Sequence, residues 1–210
     1  MPYSAEFSDH NCAALSGPNG CGKSTFLKAM AGSDNIRTAG SIRVRSGVSD
    51  ACYRLGRRNF VYVPQDAIVI SDLSVGEFIA SAVLSSSRTG LFGALRSTFQ
   101  SGKNWWRREL AAREEQYLEP LRPIEQPLCN LNEARLRYAA LVRLDAIQPA
   151  VALLDEPFEG MGSDLCGLSL KWLGVSLSRG WFLVISDHQR RFIGMPGLRH
   201  IEAKVEWLEQ

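Results

Sequence analysis

Short, unbroken apolar runs recur near both ends of this chain. Val151 to Leu154 and Trp181 to Ile185 have no polar alternation, the pattern of strands buried on both faces of a parallel sheet. Cys12 to Leu15 is a third run suited to a strand, and Asn59 to Val63 a fourth, stopped by Pro64. Ile42 to Arg45 alternates apolar and basic residues, as an edge strand does. Phe26 to Met30 has helical character. The middle of the chain differs. A cap signal at Asp72 or Ser74 opens a helix, Ser85 to Gly90 reads as a flexible break, and Trp105 to Leu118 is charged and helical in pattern. Pro120, Pro123 and Pro127 interrupt it, and residues 131–146 again predict a helix. Strands flanking a mostly helical segment predict an α/β fold: a core of residues 1–70 and 147–210, and a helical subdomain of 71–146.

Composition narrows the class. The 210 residues and 45% hydrophobic content suffice for a packed core and exclude a disordered chain. A formal net charge of +2 gives no signal for a nucleic-acid partner. No apolar run reaches the ~18–20 residues of a membrane span, and no signal-peptide pattern opens the sequence. Cys12, Cys21, Cys52, Cys129 and Cys166 are scattered and odd in number. They suit neither a metal site nor a disulfide framework, which points to a reducing cytosol. Cys21, beside Lys23, is an expected alkylation site and not a catalyst.

The chemistry begins at the end of the first strand. Residues 17–25 (Gly17, Pro18, Asn19, Gly20, Cys21, Gly22, Lys23, Ser24, Thr25) spell the phosphate-binding loop G-x-x-x-x-G-K-[ST] between a strand and a helix. Gly17, Gly20 and Gly22 are expected to free the backbone so that its N–H groups wrap a phosphate at a helix N-terminus. Lys23 supplies a full charge for the β- and γ-phosphates, and Ser24 a hydroxyl for Mg²⁺. The strand Val151 to Leu154 ends in Asp155, Glu156 and Pro157, placing carboxylates where α/β sheets bind ligands. Asp155 can hold Mg²⁺ through water, and Glu156 can polarise a water for attack on the γ-phosphate.

With these motifs in this order, the chain resembles the ATP-binding subunits of ABC transporters over nearly its whole length. The resemblance implies a P-loop NTPase core with a mainly parallel sheet and an inserted helical subdomain. It implies ATP and Mg²⁺ as cofactors. Gln65, in Tyr62-Val-Pro-Gln65, matches a family glutamine that touches Mg²⁺ and the attacking water. His188 matches a family histidine that contacts the γ-phosphate and helps position Glu156. Transmembrane permease subunits and a second ATP-binding subunit are the implied partners, at the cytoplasmic face of a membrane. Thr89 to Leu95 and Asp155 to Met161 resemble branched-chain amino-acid importer subunits. A catalytically weak regulatory subunit and a non-transport soluble ATPase of the same fold are the alternatives.

Three departures from the family pattern shape the expectations. The signature LSGGQ falls on Leu131 to Arg135, where both glycines are missing and Glu133 brings negative charge towards a partner's γ-phosphate. Asn132 can still cap the helix, and Arg135 can offset Glu133. Family members carry a longer segment before the loop, with an aromatic that stacks on adenine. Tyr3 is too close to Gly17 for that place, so either the start lies upstream or adenine is gripped less well. Gly162 stands where an aspartate crosses the family's dimer interface, with Asp164 a nearby substitute. Trp105 to Arg108 suits a helix with a packed Trp and solvated Arg, or a membrane-coupling contact. Ser186, Asp187 and His188 have the residue types of a hydrolase triad but lack a Gly-x-Ser-x-Gly elbow. Arg57 and Arg58 read as loop charge.

Overall fold

The computed structural model describes residues 12–32, 42–46, 49–53, 60–66, 73–86, 107, 110, 115–188 and 198–202. The chain divides into two compact units. One comprises residues 1–65, 149–157 and 174–210, the other 66–148 and 158–173. The second unit thus takes in a segment that follows the Asp-Glu-Pro motif, as well as the middle of the chain.

The first unit is built on a five-stranded sheet. Its strands are β1 (Cys12–Ser16), β4 (Phe60–Val63), β5 (Val151–Asp155), β6 (Phe182–Ser186) and β7 (Leu198–Glu202), in the order β4-β5-β6-β1-β7. Every pairing is parallel. This is an α/β P-loop NTPase fold, as the sequence predicts. β1 and β5 are buried throughout, which explains why their sequences are apolar without alternation. Ser186 lies opposite both Leu15 and Asp155, so the C-terminal ends of β1, β6 and β5 are level. Ligands bind α/β sheets at such ends.

Helix α1 (Lys23–Met30) follows β1 and packs Leu27 and Met30 against Leu15, Val151, Leu153 and Val184. The Ile42–Ser46 strand, β2, pairs antiparallel with β3 (Ser49–Tyr53) in a separate two-stranded sheet. Cys12 is buried in β1, and burial pushes its thiol pKa up to about 12, so it stays protonated and unreactive in the native fold. Cys12, Cys21, Cys129 and Cys166 form no disulfide, and Cys21 is half-buried.

The second unit is helical: α2 (Val75–Ser86), the single turn α3 (Glu115–Leu118) and α4 (Glu133–Ile147), with residues 163–173 of α5 (Ser163–Ser178). Ser74 caps α2 in a reciprocal box. Glu77 N–H donates to Ser74 Oγ at 3.2 Å, and Ser74 N–H donates to Glu77 Oε2 at 2.9 Å. Asp72, the other cap candidate, lies outside the described residues. Ser85 and Ser86 are helical, not part of a break, because the capped helix runs through them. The rest of that stretch, 87–90, lies outside the described residues. Arg143 of α4 stacks over the Phe78 ring of α2 at 4.9 Å, and burial lowers the pKa of its guanidinium. Trp105 and Trp106, Arg57 and Arg58, Tyr3 and residues 89–95 lie outside the described residues. Among the described residues, no helix is long and apolar enough to cross a membrane.

Candidate functional site

The loop between β1 and α1 takes its shape from two glycines. Gly20 and Gly22 have φ of 80° and 92°, in the left-handed region that a Cβ disfavours. Gly17 does not, so the expectation that all three glycines serve this purpose is corrected to two. Gly22 caps α1 with no side-chain bond, and the first helical turn closes with Phe26 N–H donating to Gly22 O at 2.9 Å. The N–H groups of Lys23, Ser24 and Thr25 precede that bond, at the positive end of the helix. Pro18, Asn19 and Gly20 are exposed, and Cys21 and Gly22 half-buried, so the loop opens to solvent on one side.

Lys23 is only 7% exposed. Its ammonium donates to the carbonyls of Gly17 at 3.0 Å and Pro18 at 3.2 Å, and lies 4.0 Å from Glu156 Oε1. A buried ammonium held mainly by neutral carbonyls is suited to receive an anion. Ser24 Oγ donates to Asp155 Oδ1 at 3.0 Å across 131 residues of sequence. A hydroxyl and a carboxylate at this spacing are hard oxygen donors of the kind Mg²⁺ takes, so these residues fit that ion. Gln65, the third predicted metal ligand, follows β4 by two residues and is half-buried at the same end of the sheet.

Asp155 and Glu156 are fixed by a residue whose role the motifs do not reveal. Ser186 is fully buried and donates from Oγ to Asp155 Oδ1 at 2.6 Å. The same Oγ accepts from Glu156 N–H at 3.0 Å, and that N–H also lies 3.2 Å from Ser186 O. Glu156 has φ of 47°, a left-handed conformation that costs a non-glycine residue about 1–3 kcal/mol. These bonds hold it there. Tyr62 completes the set, its hydroxyl donating to Asp155 Oδ2 at 2.9 Å. Because Ser186 bonds Asp155, these contacts leave it no place in a hydrolase triad.

His188 is brought to Glu156. Its Nδ1 lies 2.9 Å from Glu156 Oε2 and its backbone N–H donates to the same oxygen at 3.3 Å. The carboxylate offers only lone pairs, so Nδ1 carries the proton in this contact. Ligand atoms of Glu156, Asp187 and His188 lie within 4.8 Å of one another. The predicted residues Lys23, Ser24, Asp155, Glu156 and His188 therefore converge in the first unit, at the ends of β1, β5 and β6.

In the second unit, Asn132 caps α4, its Oδ1 accepting from Arg135 N–H at 2.9 Å. The partner of Glu133 is Arg137, not Arg135, because one helical turn brings Arg137 onto the same face. Arg137 is 7% exposed and donates to the carbonyl of Glu159, with the Glu159 carboxylate 3.5 Å away. It thus ties the start of α4 to the segment after Pro157. Arg135, Gly162 and Asp164 are exposed.

Residues 2–159 match the sequence profile of the family described as ABC transporter. This chain is an ATP-binding domain of the ABC transporter family. It is 32% identical over 158 residues to the sulfate/thiosulfate import ATP-binding protein CysA of Gloeobacter violaceus, covering 73% of this chain and 40% of that protein. It is 31% identical over 185 residues to the molybdenum import ATP-binding protein ModC of Mycobacterium tuberculosis, covering 83% of this chain and 46% of that protein. The chain thus spans less than half the length of these curated relatives. A solved ATP-binding subunit of an ABC transporter superposes with a TM-score of 0.61 at 19% identity, over 85% of this chain and 68% of that one, a likeness of fold.

Proposed function

We propose that this chain binds and hydrolyses Mg·ATP and drives solute import through transmembrane permease subunits at the cytoplasmic face of a membrane. The observation that carries the reading is the 3.0 Å contact between Ser24 and Asp155, with Lys23 and Glu156 alongside, at the C-terminal ends of β1 and β5, the two strands that flank β6. The phosphate loop, Gly17 to Thr25, holds the phosphates. Ser24, Gln65 and Asp155 hold Mg²⁺, which supplies charge neutralisation when bound. Glu156 accepts the proton of the attacking water, and His188 and Gln65 orient water and γ-phosphate. The names of the relatives CysA and ModC, a sulfate/thiosulfate import and a molybdenum import ATP-binding protein, support the import reading. Neither name supports the amino-acid expectation.

The pairing is part of the proposal. Two such domains would sandwich ATP head to tail, each completing the other's site with its signature segment. Leu131 to Arg135 offers Glu133 where glycine N–H groups serve in the family, so a different subunit with an intact signature is the proposed partner. The purified wild-type chain is expected to turn ATP over slowly and to speed up when that subunit is added. Changing Asn132→Ser, Glu133→Gly, Ala134→Gly and Arg135→Gln together should raise turnover of the chain alone. Arg137 keeps the Glu159 carbonyl as a partner in that variant. Fast turnover by the unaided wild-type chain would overturn the heterodimer proposal. No gain from the fourfold change or from any second subunit favours the catalytically weak regulatory reading.

A further inference from the structure

Asp155 receives three hydroxyl donors, and only one of them, Ser24, is a proposed metal ligand. Oδ1 accepts from Ser24 at 3.0 Å and from Ser186 at 2.6 Å, and Oδ2 accepts from Tyr62 at 2.9 Å. The carboxylate is 2% exposed, so these donors stand in for solvent. Ser24 has a second duty as the proposed metal ligand: an oxygen lone pair can meet the ion while its proton stays on Asp155. Ser186 and Tyr62 have no such duty. Ser186 comes from β6 and also holds the Glu156 N–H, so its bond serves both carboxylate residues. Tyr62 comes from β4, beside Leu153 in the register, and its hydroxyl donates to Asp155 Oδ2. A carboxylate gripped at both oxygens by fixed donors cannot rotate about its terminal bond without breaking one of them.

From this geometry we infer that Tyr62 is a positioning residue for the metal. Its hydroxyl holds the Asp155 carboxylate in the one rotation that presents it to Mg²⁺, and so sets how much Mg²⁺ adds to ATP affinity. The inference rests on the Mg·ATP reading of the site. Tyr62 stands three residues before Gln65, on the strand that leads to the other proposed metal ligand of this sheet edge. The bond between β4 and β5 therefore keeps ligands from two strands in register around one ion. The Tyr62 ring is half-buried against the Leu15, Leu27 and Leu153 cluster, so phenylalanine can keep the packing and remove only the hydroxyl.

The test is calorimetric titration of ATP into the wild-type chain and Tyr62→Phe, each with Mg²⁺ and with EDTA. In the wild type, Mg²⁺ should tighten ATP binding clearly. In Tyr62→Phe, affinity in EDTA should match wild type, and the gain from Mg²⁺ should shrink about tenfold, the scale of one lost hydrogen bond to a charged group. The Mg²⁺ concentration giving half of the gain should rise correspondingly. An equal Mg²⁺ gain in both proteins overturns the role of Tyr62 while leaving the site reading intact. Equal loss with and without Mg²⁺, alongside a lower melting temperature, assigns Tyr62 to packing alone and also overturns it. No gain from Mg²⁺ in the wild type overturns the site reading itself, and the inference with it.

Discussion

Lys23→Ala is expected to weaken ATP binding by about 100-fold or more, the result of losing two charge-assisted hydrogen bonds at about 1.5–3 kcal/mol each. The size follows from the burial of the ammonium and from what surrounds it. Its partners in the chain are the carbonyls of Gly17 and Pro18, with Glu156 at the limit of an ion pair. Incoming phosphate oxygens replace neutral carbonyls with full negative charge in a site of low dielectric, where the attraction is strongest. The substitution also removes positive charge from beside the buried Glu156, so part of the loss comes from a less well-ordered carboxylate. Calorimetry on both proteins measures the effect, with circular dichroism melting to confirm that the variant folds. Equal ATP affinity in the two would reject the loop as the phosphate site.

Glu156→Gln is expected to bind ATP like the wild type and to hydrolyse it about 10²–10⁴-fold more slowly in the assembled complex, the usual cost of losing a general base. The amide keeps the shape and can still accept from His188 and from its own neighbours. It cannot take up the proton of the attacking water. The strained φ of 47° lies in the backbone and is held by Ser186, so the substitution leaves it in place. Rapid-quench measurement of product formation separates this loss of chemistry from any change in binding. Wild-type turnover in the variant would assign the base to another group.

The chain's order of motifs made the centre of this site legible before its geometry. Gly20, Gly22, Lys23, Ser24, Asp155 and Glu156 are specified by local sequence, because a phosphate loop and an acidic strand end each need particular residue types at adjacent positions. Buried strands β1, β5 and β6 were legible for the same kind of reason, since unbroken apolar runs have few other uses. β3 and β7 were not, because Ser49 to Tyr53 and Leu198 to Glu202 mix polar and apolar residues over five positions, too few to set a period. The roles of Ser186 and Tyr62 were not legible because they come from strand register across the sheet. Nothing in a lone serine or tyrosine says which carboxylate it will face. The same holds for Arg137. Helical spacing could have paired it with Glu133, four residues earlier, but its bond to Glu159 depends on the fold.

The central claim is that one divalent ion and the phosphates of ATP share the site at the ends of β1 and β5. Paramagnetic resonance with Mn²⁺ in place of Mg²⁺ tests it most directly. The wild-type chain with ATP should bind one Mn²⁺ whose spectrum carries phosphorus coupling, and Asp155→Asn should lose that bound signal at the same concentrations. Undiminished Mn²⁺ binding by Asp155→Asn, or bound Mn²⁺ without phosphorus coupling in the wild type, would contradict the account.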